Sequence, residues 1–115
     1  MELKIINAGD SFTFVALSGR LDIDGAASVE KNFAAAVTEK AKPAIIDMTE
    51  VSFIASAGIT MLLSSAKALQ DCEVRAVLYN PQPLVQEALE IAGVNKLMPI
   101  ENDFSKAKNL LQITE

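Results

Sequence analysis

The spacing of apolar residues along the chain predicts an alternation of strands and helices. Short runs rich in β-branched and aromatic residues are typical of strands, and apolar residues that recur every three or four positions are typical of helices. The predicted strands are Leu3–Asn7, Phe12–Ser18, Ala44–Met48, Glu73–Tyr79 and Lys96–Ile100. The predicted helices are Ala26–Lys40, a helix that follows Ser56, Leu84–Ala92 and a last helix after Asp103.

This order of elements, β-β-α-β-α-β-α-β-α, predicts an α/β fold with a mixed, mostly parallel sheet of four to five strands and about four helices. The turn residues 7–11 predict that the first two strands form an antiparallel hairpin. The later strand–helix–strand units imply right-handed crossovers between parallel strands. Pro99 lacks a backbone N–H, so the last strand is expected at an edge of the sheet. The length of 115 residues predicts a single domain over residues 1–115.

Several polar or small residues are placed to start or stop the predicted helices. Asp24, Ser56 and Asp103 are predicted N-caps, and Gly93 is a predicted C-terminal stop. The run 47–59 indicates a buried strand, a short polar loop and small residues that open a helix. Ser56 is then a hydroxyl at a helix N-terminus, either as an ordinary cap worth about 1 kcal/mol or as a site where a phosphate can be accommodated.

Charge and composition exclude several classes of function. The net charge of −5 disfavours a general nucleic-acid binder and electrostatic docking to an anionic membrane. The single cysteine, Cys72, excludes an internal disulfide and suits a reducing compartment. No stretch approaches the roughly 20 apolar residues of a membrane span, and no signal peptide is evident. We therefore expect a cytoplasmic location, with no direct partner among nucleic acids or membranes.

The chain offers little catalytic chemistry. It has no histidine, which removes a Ser-His-Asp triad and the commonest zinc ligand, and no Walker A or dinucleotide fingerprint is found. Asp22 and Asp24 form a carboxylate pair, but carboxylates at a predicted helix start are more often caps and dipole partners than metal ligands or acid–base groups. We expect no enzyme activity, no cofactor and no metal. A small enzyme or nucleotide-binding protein stays open as an alternative, on fold class alone.

Two motifs resemble signatures of the STAS domain family. The first is the run Asp47-Met48-Thr49-x-Val51-x-Phe53-Ile54-x-Ser56-Ala57-Gly58-Ile59, and the second is Gly19-Arg20-Leu21-Asp22. The chain is most similar to the single-domain anti-sigma factor antagonists of bacteria, and the resemblance covers essentially its whole length.

The resemblance implies a regulatory binding protein. In that family the serine at the position of Ser56 is phosphorylated by the anti-sigma factor, which is itself an ATP-dependent serine kinase. The unmodified antagonist binds the anti-sigma factor and frees the sigma factor; phosphorylation blocks this binding, and a PP2C-type phosphatase restores it. The partner-binding residues that the resemblance implies are Arg20, Asp22, Asp24, Ala55, Ser56, Ala57, Gly58 and Thr60.

One position departs from the family pattern. Where family members usually carry Asp directly before the phosphorylated serine, this chain has Ala55. The departure motivates a second hypothesis, in which the chain is a STAS-domain regulatory subunit of another system, such as a lipid or anion transporter complex, that does not require phosphorylation.

Overall fold

The computed structural model describes residues 1–8, 11–38 and 42–112. The strands are β1 (Glu2–Ala8), β2 (Thr13–Leu21), β3 (Ala44–Ile54), β4 (Ala76–Tyr79) and β5 (Ile100–Glu101). The helices are α1 (Ile23–Phe33), α2 (Ser56–Asp71), α3 (Pro83–Ile91) and α4 (Phe104–Leu110). A π-helical turn, Ala34–Thr38, continues α1, and a 3₁₀ turn, Val94–Lys96, follows α3. The predicted order of strands and helices is confirmed.

The strands form one sheet in the order β1-β2-β3-β4-β5. β1 and β2 pair antiparallel, whereas the other three pairings are parallel, which confirms the predicted hairpin and the mostly parallel sheet. β5 lies at an edge but has only two residues. The predicted start at Lys96 was wrong because the N–H groups of Leu97 and Met98 bond to the carbonyl of Val94 and close a turn instead.

Helices cover both faces of the sheet. Because successive side chains of a strand point to opposite faces, alternate residues of β2, β3 and β4 enter two different clusters. Val15, Ile46 and Leu78 pack in the larger cluster with residues of α1, α2 and α3. Ile45 and Val77 pack on the other side with Ala107 of α4. The central strands are therefore buried on both faces.

β3 is longer than the hydrophobic pattern predicts. It continues beyond Met48 to Ile54, so the expected polar loop after Met48 was wrong. The pairing of β2 with β3 shifts register twice in this stretch. Such bulges break the strict alternation of buried and exposed positions, and here Val51 and Ile54 are buried while Ser52 and Phe53 are exposed. A strand with this irregular burial resembles a loop in sequence.

Helix ends agree with the predictions at Gly93 and Asp103 and differ at Asp24 and Ser56. Gly93 follows the last residues of α3 with φ 80°, and the carboxylate of Asp103 accepts a hydrogen bond from the N–H of Lys106 at 3.2 Å, so both predicted ends are confirmed. The prediction of Asp24 as N-cap of the first helix was wrong. Asp22 is the cap, and α1 begins three residues before the predicted Ala26. The predicted end of this helix at Lys40 lies outside the described residues.

Candidate functional site around Ser56

Ser56 is the first residue of α2, not its N-cap. The extended residue Ala55 holds the N-cap position, and its methyl group makes no capping hydrogen bond. The N–H of Ile59 donates to the carbonyl of Ala55 at 3.1 Å as the first bond of the helix. The N–H groups of Ser56, Ala57 and Gly58 precede that bond, and the Ser56 side chain is exposed. The helix end therefore presents a hydroxyl beside backbone donors that the helix does not use.

The two family motifs meet at Leu21. The N–H of Ala55 donates to the carbonyl of Leu21 at 3.0 Å, directly beyond the last paired residues of β2 and β3. Gly58 is buried against the same residue, and a Cβ added to it would lie 2.6 Å from Cγ of Leu21. Gly58 was predicted to contact a partner; because it is buried, we assign it instead to the packing of α2 on β2.

An ionic and aromatic cluster lies beside Ser56. Nε of Arg20 is 3.5 Å from Oδ2 of Asp22, and the guanidinium carbon of Arg20 lies 4.2 Å from the centroid of the Phe53 ring. Oδ1 of Asp22 accepts the N–H of Gly25 at 2.8 Å. This hydrogen bond, assisted by Arg20, lowers the pKa of Asp22 below its ordinary value of 3.8. Asp22 is therefore a carboxylate at neutral pH.

The remaining predicted contact residues surround this cluster. Asp24 and Thr60 are exposed, and Ala55 and Ala57 are half-buried. Two apolar side chains that the sequence reasoning missed share the surface: Ile23 is 73% exposed and Phe53 is 40% exposed. The only sequence signal for Ile23 is its position between two aspartates. We call this surface the Ser56 face and define it by the exposed or partly exposed residues Arg20, Asp22, Ile23, Asp24, Phe53, Ser56 and Thr60.

The first part of the long motif has a structural role. Oδ1 of Asp47 accepts hydrogen bonds from the backbone N–H of Thr49 at 3.0 Å and from its hydroxyl at 2.6 Å. The side-chain amide of Asn80 donates to the Thr49 hydroxyl at 3.2 Å, and that of Gln82 donates to the Thr49 carbonyl at 3.0 Å. Asp47 and Thr49 therefore hold β3 to the loop between β4 and α3, away from Ser56.

The described part of the chain contains no group of three His, Cys, Asp or Glu side chains that could hold a metal ion. No helix among residues 1–8, 11–38 and 42–112 is long and apolar enough to cross a membrane.

Comparison with known proteins identifies the family. The STAS domain model matches residues 5–107, so this chain belongs to the STAS domain family. A curated relative, BtrV of Bordetella bronchiseptica, is named as an anti-sigma factor antagonist. It is 29% identical over 93 residues, which are 81% of this chain and 80% of BtrV.

Solved structures establish the same fold. An anti-sigma factor antagonist (STAS) domain protein from Planctomyces limnophilus superposes with a TM-score of 0.84, at 17% identity over 96% of this chain and 97% of that one. The Bacillus anti-sigma factor antagonist SpoIIAA in its unphosphorylated form gives 0.75, at 20% identity over 99% and 98%. Its phosphorylated form gives 0.67, at 19% identity over 95% and 97%. The predicted fold class is confirmed.

The fold also occurs inside a much larger protein. The murine anion transporter Slc26a9 contains a region that superposes with a TM-score of 0.76, at 18% identity over 89% of this chain but only 18% of the transporter. Fold alone therefore does not distinguish a free regulator from a transporter-associated domain.

Proposed function

We propose that this chain is an anti-sigma factor antagonist. It binds an anti-sigma factor of the serine-kinase type through the Ser56 face and thereby frees a sigma factor. That kinase phosphorylates Ser56 and ends the interaction, and a PP2C-type phosphatase restores it. The observation that carries the proposal is the exposed Ser56 hydroxyl at an uncapped helix N-terminus, at the point where the two family motifs meet. The role is one of regulated binding in the cytoplasm, with no catalysis by this chain.

The start of α2 can hold a phosphate without unfolding. A helix N-terminus carries roughly half a positive charge, and a phosphoserine adds about −1.5 to −2 charges with three acceptor oxygens. Ala55 supplies no side-chain acceptor, so the backbone donors at Ser56, Ala57 and Gly58 do not already serve a cap. Phosphorylation is therefore expected to change the surface and leave the fold intact.

The same phosphate opposes a docked partner. The Ser56 face combines the exposed apolar side chains Ile23 and Phe53 with the carboxylates Asp22 and Asp24. A typical interface buries about 800 Å² per partner, and a partner docked on this face is expected to cover Ser56. Covering a phosphate removes water from a doubly charged group, and that is costly unless the partner provides a matching cation. Phosphorylation is thus expected to lower affinity through desolvation of the added charge.

The direct test recovers the partner with a Ser56→Ala variant in the native host and then supplies ATP. We expect an anti-sigma factor to co-purify, to phosphorylate the wild-type chain, and to leave Ser56→Ala unmodified when the sites are mapped by mass spectrometry. Ser56→Asp is expected to reduce binding by on the order of a hundredfold, equivalent to about 3 kcal/mol. Ser105→Asp is the matched control, because Ser105 is also exposed in the first turn of a helix but lies on α4. Phosphate absent from Ser56, with Ser56→Asp binding normally, contradicts the proposed switch.

A charge reversal at Asp24 tests whether the acidic side of the Ser56 face meets a basic patch. Asp24 is exposed and does not cap α1, so Asp24→Lys changes charge without removing the Asp22 cap. Surface charge pairs contribute up to about 1 kcal/mol, so we expect a few-fold slower association and an altered salt dependence. Identical association kinetics across a salt series would remove Asp24 from the interface.

A transporter-associated regulatory subunit is the second candidate. It is favoured by Ala55, because a chain that needs no phosphorylation also needs no carboxylate beside the serine. This candidate predicts that Ser56→Ala and Ser56→Asp retain the same partner and that the partner is a membrane transport protein. Retention of an anti-sigma factor by Ser56→Ala and its loss by Ser56→Asp would exclude it.

A further inference from the structure

The strand β1 lies at one edge of the sheet. Among the described strands it pairs with β2 alone, so its other side has no neighbouring strand there. The opposite edge of the sheet is β5, which has only two residues and offers little backbone for pairing. The outer N–H and C=O groups of an edge strand can pair with a strand of another chain. Of the two edges, β1 is therefore the better place for such pairing.

A bulge limits the regular part of this edge to residues 2–5, which we call the β1 edge. The pairing of β1 with β2 shifts register between Ile5 and Asn7. A bulge bends the strand and increases its twist, which opposes pairing with a further strand. Before the bulge the register is continuous, from Glu2 opposite Ser18 to Ile5 opposite Val15. A partner strand is therefore expected along residues 2–5.

The β1 edge carries two opposite charges on one face. Glu2 and Lys4 are exposed, and because alternate residues of a strand share a face, they lie together on the face opposite to Leu3. Leu3 is half-buried against the larger core cluster. Ser18 and Ala16, which lie opposite Glu2 and Lys4 on β2, carry no charge. Neither Glu2 nor Lys4 forms an ion pair with another described residue, so both charges remain available to a partner.

This pattern is complementary to itself. In a symmetric antiparallel pair of strands, the two-fold axis passes through one residue, which then lies opposite its own copy. An axis at Leu3 places Glu2 of each copy opposite Lys4 of the other. An axis at Glu2 or Lys4 places like charges directly opposite, which is destabilising. An axis at Ile5 would extend the pairing across the bulge. Within the β1 edge, charge and backbone geometry therefore both favour Leu3.

We propose that two copies of this chain associate by antiparallel pairing of their β1 edges, centred on Leu3, to form one continuous sheet. Two symmetry-related pairs of Glu2 with Lys4 set the register on one face, and the two Leu3 side chains meet on the other. The contact is much smaller than a standard interface of about 1,600 Å², so the association is weak and reversible.

This association is independent of the proposed function. Around the axis at Leu3 the two copies of β2 run in opposite directions, so the two Ser56 faces lie at opposite ends of the joined sheet and stay accessible. The test uses this chain alone, without an anti-sigma factor. Failure of one proposal therefore leaves the other unaffected.

The first test is sedimentation equilibrium at low ionic strength, up to a protein concentration of about 1 mM, with ¹⁵N amide shifts followed by NMR over the same range. We expect the average mass to rise toward that of a dimer, with shifts confined to residues 2–5 and their neighbours on β2. Added salt is expected to weaken the association, because it screens exposed charge pairs. A monomer at every concentration, or shifts confined to other elements, would overturn the proposal.

Two charge reversals test the register. Glu2→Lys and Lys4→Glu each place like charges opposite one another in both symmetry-related pairs, so each is expected to weaken association on the order of tenfold. An equimolar mixture of the two variants restores opposite charges in both pairs and is expected to associate as the wild type does. Unchanged association of the single variants, or a mixture no stronger than either alone, would overturn the pairing at Leu3.

Matched controls separate this register from net charge. Glu87→Lys and Lys96→Glu make the same two charge changes at exposed positions away from β1, and both are expected to associate as the wild type does. Glu2→Lys also lowers the negative net charge of the chain, which is −5, so net charge alone predicts tighter association of that variant. Equal weakening by the controls, or tighter association of Glu2→Lys, would therefore overturn the proposed charge pairs.

Discussion

The N-termini of α1 and α2 are built alike but are capped differently. Each helix follows directly from the end of a neighbouring parallel strand, and each has a glycine as its third helical residue, Gly25 in α1 and Gly58 in α2. Both glycines pack on the last residues of β2. The difference is the residue before each helix: Asp22 caps α1 with its carboxylate, whereas Ala55 leaves α2 without a side-chain cap.

This difference in capping decides whether the backbone N–H groups at a helix N-terminus are already bonded within the chain or remain available. At α1 the chain satisfies its own helix N-terminus, and Arg20 stabilises the capping carboxylate from the side. At α2 the equivalent donors are left for water or for an incoming anion, directly beside the exposed Ser56. One helix N-terminus is therefore capped by a side chain of the chain itself, and the neighbouring one has no side-chain cap.

The largest effect is expected from Gly25→Ala. A Cβ at this position would overlap the carbonyl oxygen of Arg20, which belongs to the backbone and cannot rotate away. Overpacking of this kind costs about 1–3 kcal/mol and occasionally more, so we expect a loss near the upper end, about 3 kcal/mol, in urea unfolding. Gly58→Ala meets the Leu21 side chain as well as its carbonyl, and about 2 kcal/mol is expected.

Gly93→Ala is the control for these glycine substitutions. No atom lies within 4 Å of an added Cβ there, so its expected cost of about 1 kcal/mol comes from φ 80° alone. If Gly25→Ala were as stable as Gly93→Ala, the close approach of α1 to β2 would be incorrect.

Supplying the missing cap at α2 is expected to raise stability. In Ala55→Asp the carboxylate can accept the N–H of Gly58, as Asp22 accepts that of Gly25, for a gain of about 1 kcal/mol in the free energy of unfolding. Ala55→Asn gives a similar cap without charge. If only the Asp variant gained stability, the helix dipole rather than the cap would be responsible; if neither gained, the backbone at residue 55 would not favour capping.

Removing the cap at α1 is expected to lower stability in a graded way. Asp22→Ala loses the hydrogen bond from Gly25 and the contact with Arg20, whereas Asp22→Asn keeps an acceptor and loses only the charge. We therefore expect melting temperatures in the order wild type, Asp22→Asn, Asp22→Ala. Equal melting temperatures for the two variants would show that the capping hydrogen bond contributes nothing beyond the charge.

The smallest effect is expected in the pH dependence of stability. The pKa of Asp22 is lowered in the folded chain, mainly by the N–H of Gly25 and then by Arg20, so the unfolded chain takes up the proton at higher pH. Its charged cap stabilises the fold above the ordinary value of 3.8, and this contribution is lost as the pH falls through the lower folded value. The stability difference between wild type and Asp22→Asn should therefore be constant near neutral pH and shrink below 3.8. A difference that grew on acidification would reverse the assigned shift.

The pattern of apolar residues predicts the order of elements, the hairpin and the edge strand, because amphipathic periodicity and turn residues are local properties of the chain. It misses the length of β3, since two bulges expose Ser52 and Phe53 while Val51 and Ile54 stay buried. It also misplaces the caps around Asp24 and Ser56, because the cap is decided by where the extended backbone ends.

The candidate site shows the same limit. Ser56 and the two motifs are readable from the sequence, but the burial of Gly58 depends on how α2 packs against β2. Such contacts between elements distant in sequence leave no local pattern.

The aromatic contact between the sheet and α4 provides an intrinsic fluorescence probe of how α4 packs. Tyr79 is the single tyrosine, and the chain has no tryptophan. Its ring meets Phe104 of α4 edge-on, with 5.6 Å between centroids, and Phe104 in turn lies 5.3 Å from Phe14. Tyrosine fluorescence therefore comes from one ring, which packs against α4. If this fluorescence changed during unfolding before the helical circular dichroism signal was lost, α4 would have left the sheet before the rest of the chain unfolded.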